Sequence, residues 1–228
     1  MSETRDNPRE ATEGVSHAPS RRHRAPRHIP LRMDVDATDL TRSSSHTHPL
    51  WWGVLLVVLI EATVVATLLT SYFYLRSQAQ DWPPPGIDPP DLLWPTIVLV
   101  ILPASSYTMW WAGKGGERGS KAVLAWGTGL SVSIACLALA LRGLTFASYD
   151  VRWDEHAYGS MLWIITGFHF THIASAAVGT AVVTLLALMN FYNPHRQVSV
   201  VVDTLYWYFV AFVFLPIYLV LYISPRIL

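Results

Sequence analysis

The chain has 228 residues with 16 basic and 16 acidic side chains, so its formal charge is balanced, and 52% of it is hydrophobic, with 10 tryptophans. A balanced charge leaves no electrostatic footprint for nucleic acid, and the single cysteine, Cys136, excludes an internal disulfide, a thiolate cluster and a two-cysteine copper centre within this chain. The apolar residues fall in blocks too long for soluble strands or helices, which places the chain among polytopic membrane proteins.

Residues 1 to about 49 are polar, with Arg21, Arg22, Arg24 and Arg27 close together and no apolar core of their own. They read as a disordered tail. No apolar stretch near the start makes a secretory signal, and Glu3, Asp6, Glu10 and Glu13 are out of place in a mitochondrial presequence. The first span is then also the membrane address. The basic cluster fits either a solvated tail or a contact with anionic headgroups.

Five apolar segments follow, at approximately 50–75, 92–112, 122–141, 159–190 and 204–224. Each is long enough to cross about 30 Å of hydrocarbon as a helix, so the expected fold is an all-α bundle of five transmembrane helices over residues 50–228. Trp51, Trp52, Trp94, Trp110, Trp111 and Trp207 lie near segment ends as interfacial anchors would. Pro95 opens the second helix harmlessly, whereas Pro103 and Pro216 sit inside spans and are expected to kink them. Basic residues gather in the tail, the second loop (Lys114, Arg118, Lys121) and the fourth (Arg196), against acids in the first loop (Asp81, Asp88, Asp91) and third (Asp150, Asp154, Glu155). The positive-inside rule then puts the N-terminus in the cytoplasm and the C-terminus outside, with Arg76, Arg142, Arg152 and Arg226 falling on the outer side.

Glu61 lies about 16 Å along the first span, close to the bilayer midplane, where a carboxyl must be neutral, paired or wetted by a cavity. In the fourth span, His169 and His172 are three residues apart and point from roughly one face, a stripe that Ala176 and Gly179 continue with almost no side chain. His169 sits about 15 Å into a helix of opposite direction, so it reaches a depth similar to that of Glu61. A Glu61–His169 pair is expected, either as a carboxyl–imidazole site coupled to protons or a lipid headgroup, or as a structural hydrogen bond between helices. Two histidines three apart on one helix cannot ligate both sides of one haem, and His46, His48, His156 and His195 lie at span ends, so no metal or haem site is expected in this chain. In the first loop, Trp82-Pro83-Pro84-Pro85-Gly86-Ile87 forms a stiff extended segment that either braces the helix hairpin or meets another subunit.

Taken in order, these residues resemble subunit III of the haem–copper oxidases, the cytochrome c oxidase and quinol oxidase family, over nearly all of residues 50–228. The resemblance is carried by Glu61 followed by Ser71-Tyr72-Phe73-Tyr74, by the Trp82-Pro83-Pro84-Pro85-Gly86-Ile87 loop, and by Ser105-Ser106. It continues through Tyr158-Gly159-Ser160, Gly167-Phe168-His169 with His172, and Tyr206-Trp207 with Phe209-Val210. The family's common form has seven helices, so five resembles the shorter bacterial type. Tyr208 and Ala211 stand where the family often has His and Asp, Phe170 replaces a Gly between the histidines, and Asp203 belongs to this divergent pattern.

The resemblance implies a non-catalytic subunit of a terminal oxidase in a bacterial inner membrane, with no cofactor in this chain and with haem and copper in partner subunits. It further implies packing against oxidase subunit I and the other oxidase subunits, phospholipid bound in a cleft between helices, and support of proton uptake. Glu61, His169 and His172 match the family's buried polar positions, and Trp82, Pro83, Pro84 and Gly86 its structural loop. Two alternatives stay open: a small proton-coupled transporter built on Glu61 and His169, and a haem b anchor, which the histidine spacing disfavours.

Overall fold

The computed structural model describes residues 48–192 and 197–227, all within one compact unit of the chain, Asp36–Leu228. The tail expected over residues 1–49 lies outside the described residues except for His48 and Pro49. Among the described residues there is no strand, and five helices are long and apolar enough to cross a bilayer: α1 (Pro49–Gln78), α2 (Leu93–Glu117), α3 (Lys121–Ala147), α4 (Ala157–Leu188) and α5 (Val198–Ile227). The five-span bundle expected from hydropathy is therefore the fold.

The helix starts follow from local chemistry. Pro49 opens α1, where its missing N–H costs nothing, and the Leu50 N–H donates to Nδ1 of the cap residue His48 at 3.2 Å. Asp91 Oδ1 accepts from the Leu93 N–H at 3.2 Å at the head of α2, and Ser120 caps α3. Pro103 lies inside a continuous α2. Pro216 is followed within α5 by a π-helical turn at Leu219–Ile223, the kind of irregularity that re-pairs backbone groups around an internal proline. Tyr218, at that turn, is bonded through its hydroxyl to Thr96 Oγ1 at 2.7 Å, which ties α5 to the start of α2.

Helices α2 and α3 approach closely because the seam is built of small residues. A Cβ at Gly127 would lie 2.6 Å from the Ala112 Cβ, and the hydroxyls of Thr108 and Ser131 meet across the seam at 2.6 Å. Helix α1 packs far more lightly. Its buried residues are Val65 and Tyr72, while Leu56, Leu59, Ile60 and Val64 face outward.

The loop motifs explain themselves in contacts. Trp82 packs edge-on against Tyr72 of α1 and Tyr158 of α4, with ring centroids 5.3 and 5.2 Å apart, so the proline-rich loop links those two helices. In Tyr158-Gly159-Ser160, Tyr158 receives Trp82, a Cβ on Gly159 would strike the Arg152 carbonyl, and Ser160 Oγ donates to the Trp153 carbonyl at 2.7 Å. Each residue of that motif has its own task at the mouth of α4.

The α2–α3 seam yields a direct test. Gly127→Val forces the two backbones apart and is expected to destabilise the bundle by about 1–3 kcal/mol, read as a lowered unfolding midpoint in detergent. An unchanged midpoint would mean that the seam is not tightly packed.

Candidate functional site

Glu61 stands in the middle of α1 and turns toward α4 and α5. Its Oε2 lies 3.4 Å from His172 Nε2, an ion-pair distance whose geometry is too poor for a regular hydrogen bond, and its Oε1 accepts from the Tyr206 hydroxyl at 3.4 Å. The Tyr206 hydroxyl also meets Ser175 Oγ at 3.0 Å, and Ser175 bonds back to the His172 carbonyl at 2.9 Å. His172 is wedged between the rings of Phe168 and Phe209, at centroid distances of 4.5 and 5.6 Å. One carboxyl, one imidazole, one phenol and one alcohol thus converge from three helices.

His169 does not join them. It is fully buried against α5, where Nε2 lies 3.2 Å from the Val210 carbonyl and the ring stacks on Phe214 at 4.6 Å. A carbonyl only accepts, so Nε2 carries the proton in this contact. The expected Glu61–His169 pair is therefore replaced by Glu61–His172. The reason is angular: three helical steps of 100° leave the two imidazoles about 60° apart, enough for His169 to meet α5 while His172 meets α1. The transporter alternative loses the pair on which it was built.

Two further buried polar groups lay outside the sequence expectation. Arg142, placed there among the outer residues, is fully buried in α3: it donates to the Tyr222 hydroxyl at 3.3 Å and the Thr166 carbonyl at 3.5 Å, and its guanidinium lies 5.0 Å from the Phe214 ring centroid. Tyr149, in the loop after α3, closes this cluster with bonds to Tyr222 at 3.0 Å and Thr166 at 2.9 Å. Burial pushes its phenol well above the ordinary tyrosine value, so it stays neutral. Asp203, in α5, accepts from Thr180 Oγ1 at 2.8 Å, and Thr180 in turn receives the Trp207 indole at 2.7 Å. The available signal was spacing: Asp203 is one turn before Tyr206 and so shares its face.

Glu61, Ser175, Gly179, Asp203 and Tyr206 line one groove of about 420 Å³ between α1, α4 and α5. Among the described residues, no group of three or more His, Cys, Asp or Glu side chains is placed to hold a metal ion.

The family model for cytochrome c oxidase subunit III matches residues 36–225. The chain is 25% identical over 181 residues to cytochrome c oxidase subunit 3 of Synechocystis sp., covering 78% of each chain. It is 24% identical to the subunit of the same name from Thermostichus vulcanus, over 85% of this chain and 98% of that one. A probable cytochrome c oxidase subunit 3 of Mycobacterium tuberculosis is 29% identical over 75% of this chain and 85% of its own.

The Glu61–His172 contact is checked by double-mutant cycles on detergent unfolding. Glu61→Leu combined with His172→Phe is expected to show a coupling of about 0.5–1.5 kcal/mol, whereas Glu61→Leu with His169→Phe should couple near zero. A larger coupling to His169 would overturn the assignment.

Proposed function

The chain belongs to the cytochrome c oxidase subunit III family, which makes it a multi-pass membrane subunit of an oxidase complex in aerobic respiratory electron transport, and from that premise we propose its part in the complex. It is a non-catalytic subunit of a bacterial inner membrane, N-terminus cytoplasmic and C-terminus periplasmic. It packs against the haem- and copper-bearing subunit I, stabilises it, binds phospholipid and supports its proton uptake.

The observation that carries the docking is a pair of unanswered phenols. A groove of about 980 Å³ runs along α2 and α5 between Leu99, Pro103, Tyr107, Trp110, Tyr208 and Phe212. Tyr107 and Tyr208 are 63% and 45% exposed there, and neither hydroxyl has a hydrogen-bond partner among the described residues. Each lies within its span, about 15 Å from the nearer helix end. An unpaired hydroxyl in hydrocarbon costs a few kcal/mol. On α1 the contrast is plain, since Thr63, Thr67, Thr70 and Ser71 each donate to the carbonyl four residues back and leave a face finished for lipid. The α2–α5 face instead suits a transmembrane helix that offers acceptors, as subunit I would.

Purification of the tagged chain in mild detergent is expected to recover a haem- and copper-bearing partner. Removing both hydroxyls, in Tyr107→Phe/Tyr208→Phe, removes about 0.6 kcal/mol per bond and should weaken that association roughly eightfold. A self-sufficient chain that recovers no such partner would sink the reading.

Support of proton uptake rests on Glu61. The oxidase assembled with Glu61→Gln is expected to turn over more slowly than the parent at high pH, where protons are scarce, and to approach it at low pH. An unchanged pH–rate profile would leave Glu61 a purely structural residue.

A further inference from the structure

We propose that the transmembrane helix seated between α2 and α5 carries two polar side chains on one face, about two turns apart. One is a hydroxyl or carboxamide that accepts at the level of Tyr107 and Tyr208, and the other is a hydroxyl or carboxamide that donates at the level of the Leu99 carbonyl. This deepens the reading that subunit I docks on that face, and rests on it.

The two phenols stand at one depth. Helices α2 and α5 run antiparallel, since Thr96 near the start of α2 bonds Tyr218 far along α5, whereas Ser106 Oγ donates to the Trp207 carbonyl at 3.1 Å. Tyr107 and Tyr208 directly follow those last two residues, and both line the groove. A helix lying between them meets both phenols within the same turn. The oxygen of a carboxamide or hydroxyl has two lone pairs, so one such side chain can accept from both.

The second requirement comes from the backbone. Leu99, Pro103 and Tyr107 follow one another at helical spacing along the α2 wall of the groove. Pro103 has no N–H, so it withholds the bond that the Leu99 carbonyl takes in a regular helix. Side chains that back-bond a carbonyl from its own helix stand three or four residues on, and Leu102 and Pro103 have no donor to offer. A carbonyl freed by proline inside a span is one that a neighbouring helix can answer. Leu99 precedes Tyr107 by about 12 Å along the axis, a distance that seven or eight residues of a partner helix cover.

Between the two levels lies Ala211, the smallest side chain on the groove, level with Pro103 in the antiparallel register. That is a seat for one large apolar residue of the partner, midway between its polar ones. Acyl chains fit the same apolar walls, yet they leave the phenols and the carbonyl unanswered.

The test uses the assembled oxidase in its membrane. Benzoylphenylalanine in place of Phe212, which is 75% exposed on the groove, is expected to photo-cross-link to one helix of the haem-bearing subunit. The same probe in place of Leu56, on the outer face of α1, should not reach that helix. Peptide mapping of the adduct identifies the helix and its two polar residues. An apolar replacement of the residue level with the phenols should weaken association roughly eightfold, and Tyr107→Phe/Tyr208→Phe in that background should weaken it no further. Pro103→Ala returns an N–H to the Leu99 carbonyl, so it should weaken association about threefold in the parent and not at all once the outer polar residue is apolar. Additive losses in either pair, or a cross-linked helix without polar residues at this spacing, overturn the inference and leave the docking of subunit I standing. Cross-linking to lipid or to a different chain overturns the docking itself, and the inference with it.

Discussion

Hydrocarbon offers no hydrogen-bond partner, so each polar group on the five spans is either answered inside the bundle or marks a place where something else arrives. Most are answered. Threonines and serines on the outer faces turn back to their own helix, as Thr171 does to the Gly167 carbonyl at 3.0 Å. Arg142 is met by a tyrosine, a carbonyl and an aromatic face rather than by a carboxylate, which avoids a second buried charge. Its neighbour on the same ring, the stacked His169, donates to a backbone carbonyl. The His169–Phe214–Arg142 cluster is therefore part of the architecture of α3, α4 and α5.

The exceptions among the described residues include two kinds. On the outer faces of α2 and α5 stand the phenols of Tyr107 and Tyr208, and inside the bundle Glu61 Oε2, Arg142 Nε, the Nδ1 atoms of His169 and His172 and the hydroxyls of Tyr72 and Tyr158 have no hydrogen-bond partner. They differ in what can satisfy them. A phenol on an otherwise apolar outer face needs an acceptor on a neighbouring helix, whereas the inner groups lie out of reach of any neighbouring subunit.

Much of this was legible in the sequence. Span number follows from hydropathy alone, and the Trp-Pro and Tyr-Gly-Ser motifs marked residues that meet in space, although nothing in their spacing said that Trp82 would sit between Tyr72 and Tyr158. The Glu61–His169 expectation failed because depth was matched without rotation: both histidines lie at workable heights, but only His172 is turned toward α1. Arg142 was taken for an outer residue because a charge ends a hydropathy window, whereas α3 runs on to Ala147 and carries the guanidinium into the bundle. Asp203 was hidden for a related reason. A carboxyl near a helix start reads as interfacial until the partner helix shows a threonine and a tryptophan placed to hold it.

The light packing of α1 connects these features. Away from the groove it is fastened by Tyr72 against Trp82 and by Arg76 Nη1 donating to Ser224 Oγ at 2.7 Å, both toward its C-terminal end. From Leu50 to Val57 it borders the groove instead, and the contacts of Glu61 with His172 and Tyr206 close the gap at the point between. The carboxyl is thus a fastening, and in the function proposed above a proton group as well. Deleting it frees a helix with little buried surface to hold it, so a loss of turnover in such a variant reports on assembly as much as on protons. An amide in its place keeps the shape and can still accept from Tyr206 while carrying no exchangeable charge, which is why the glutamine variant is the one that separates the two roles.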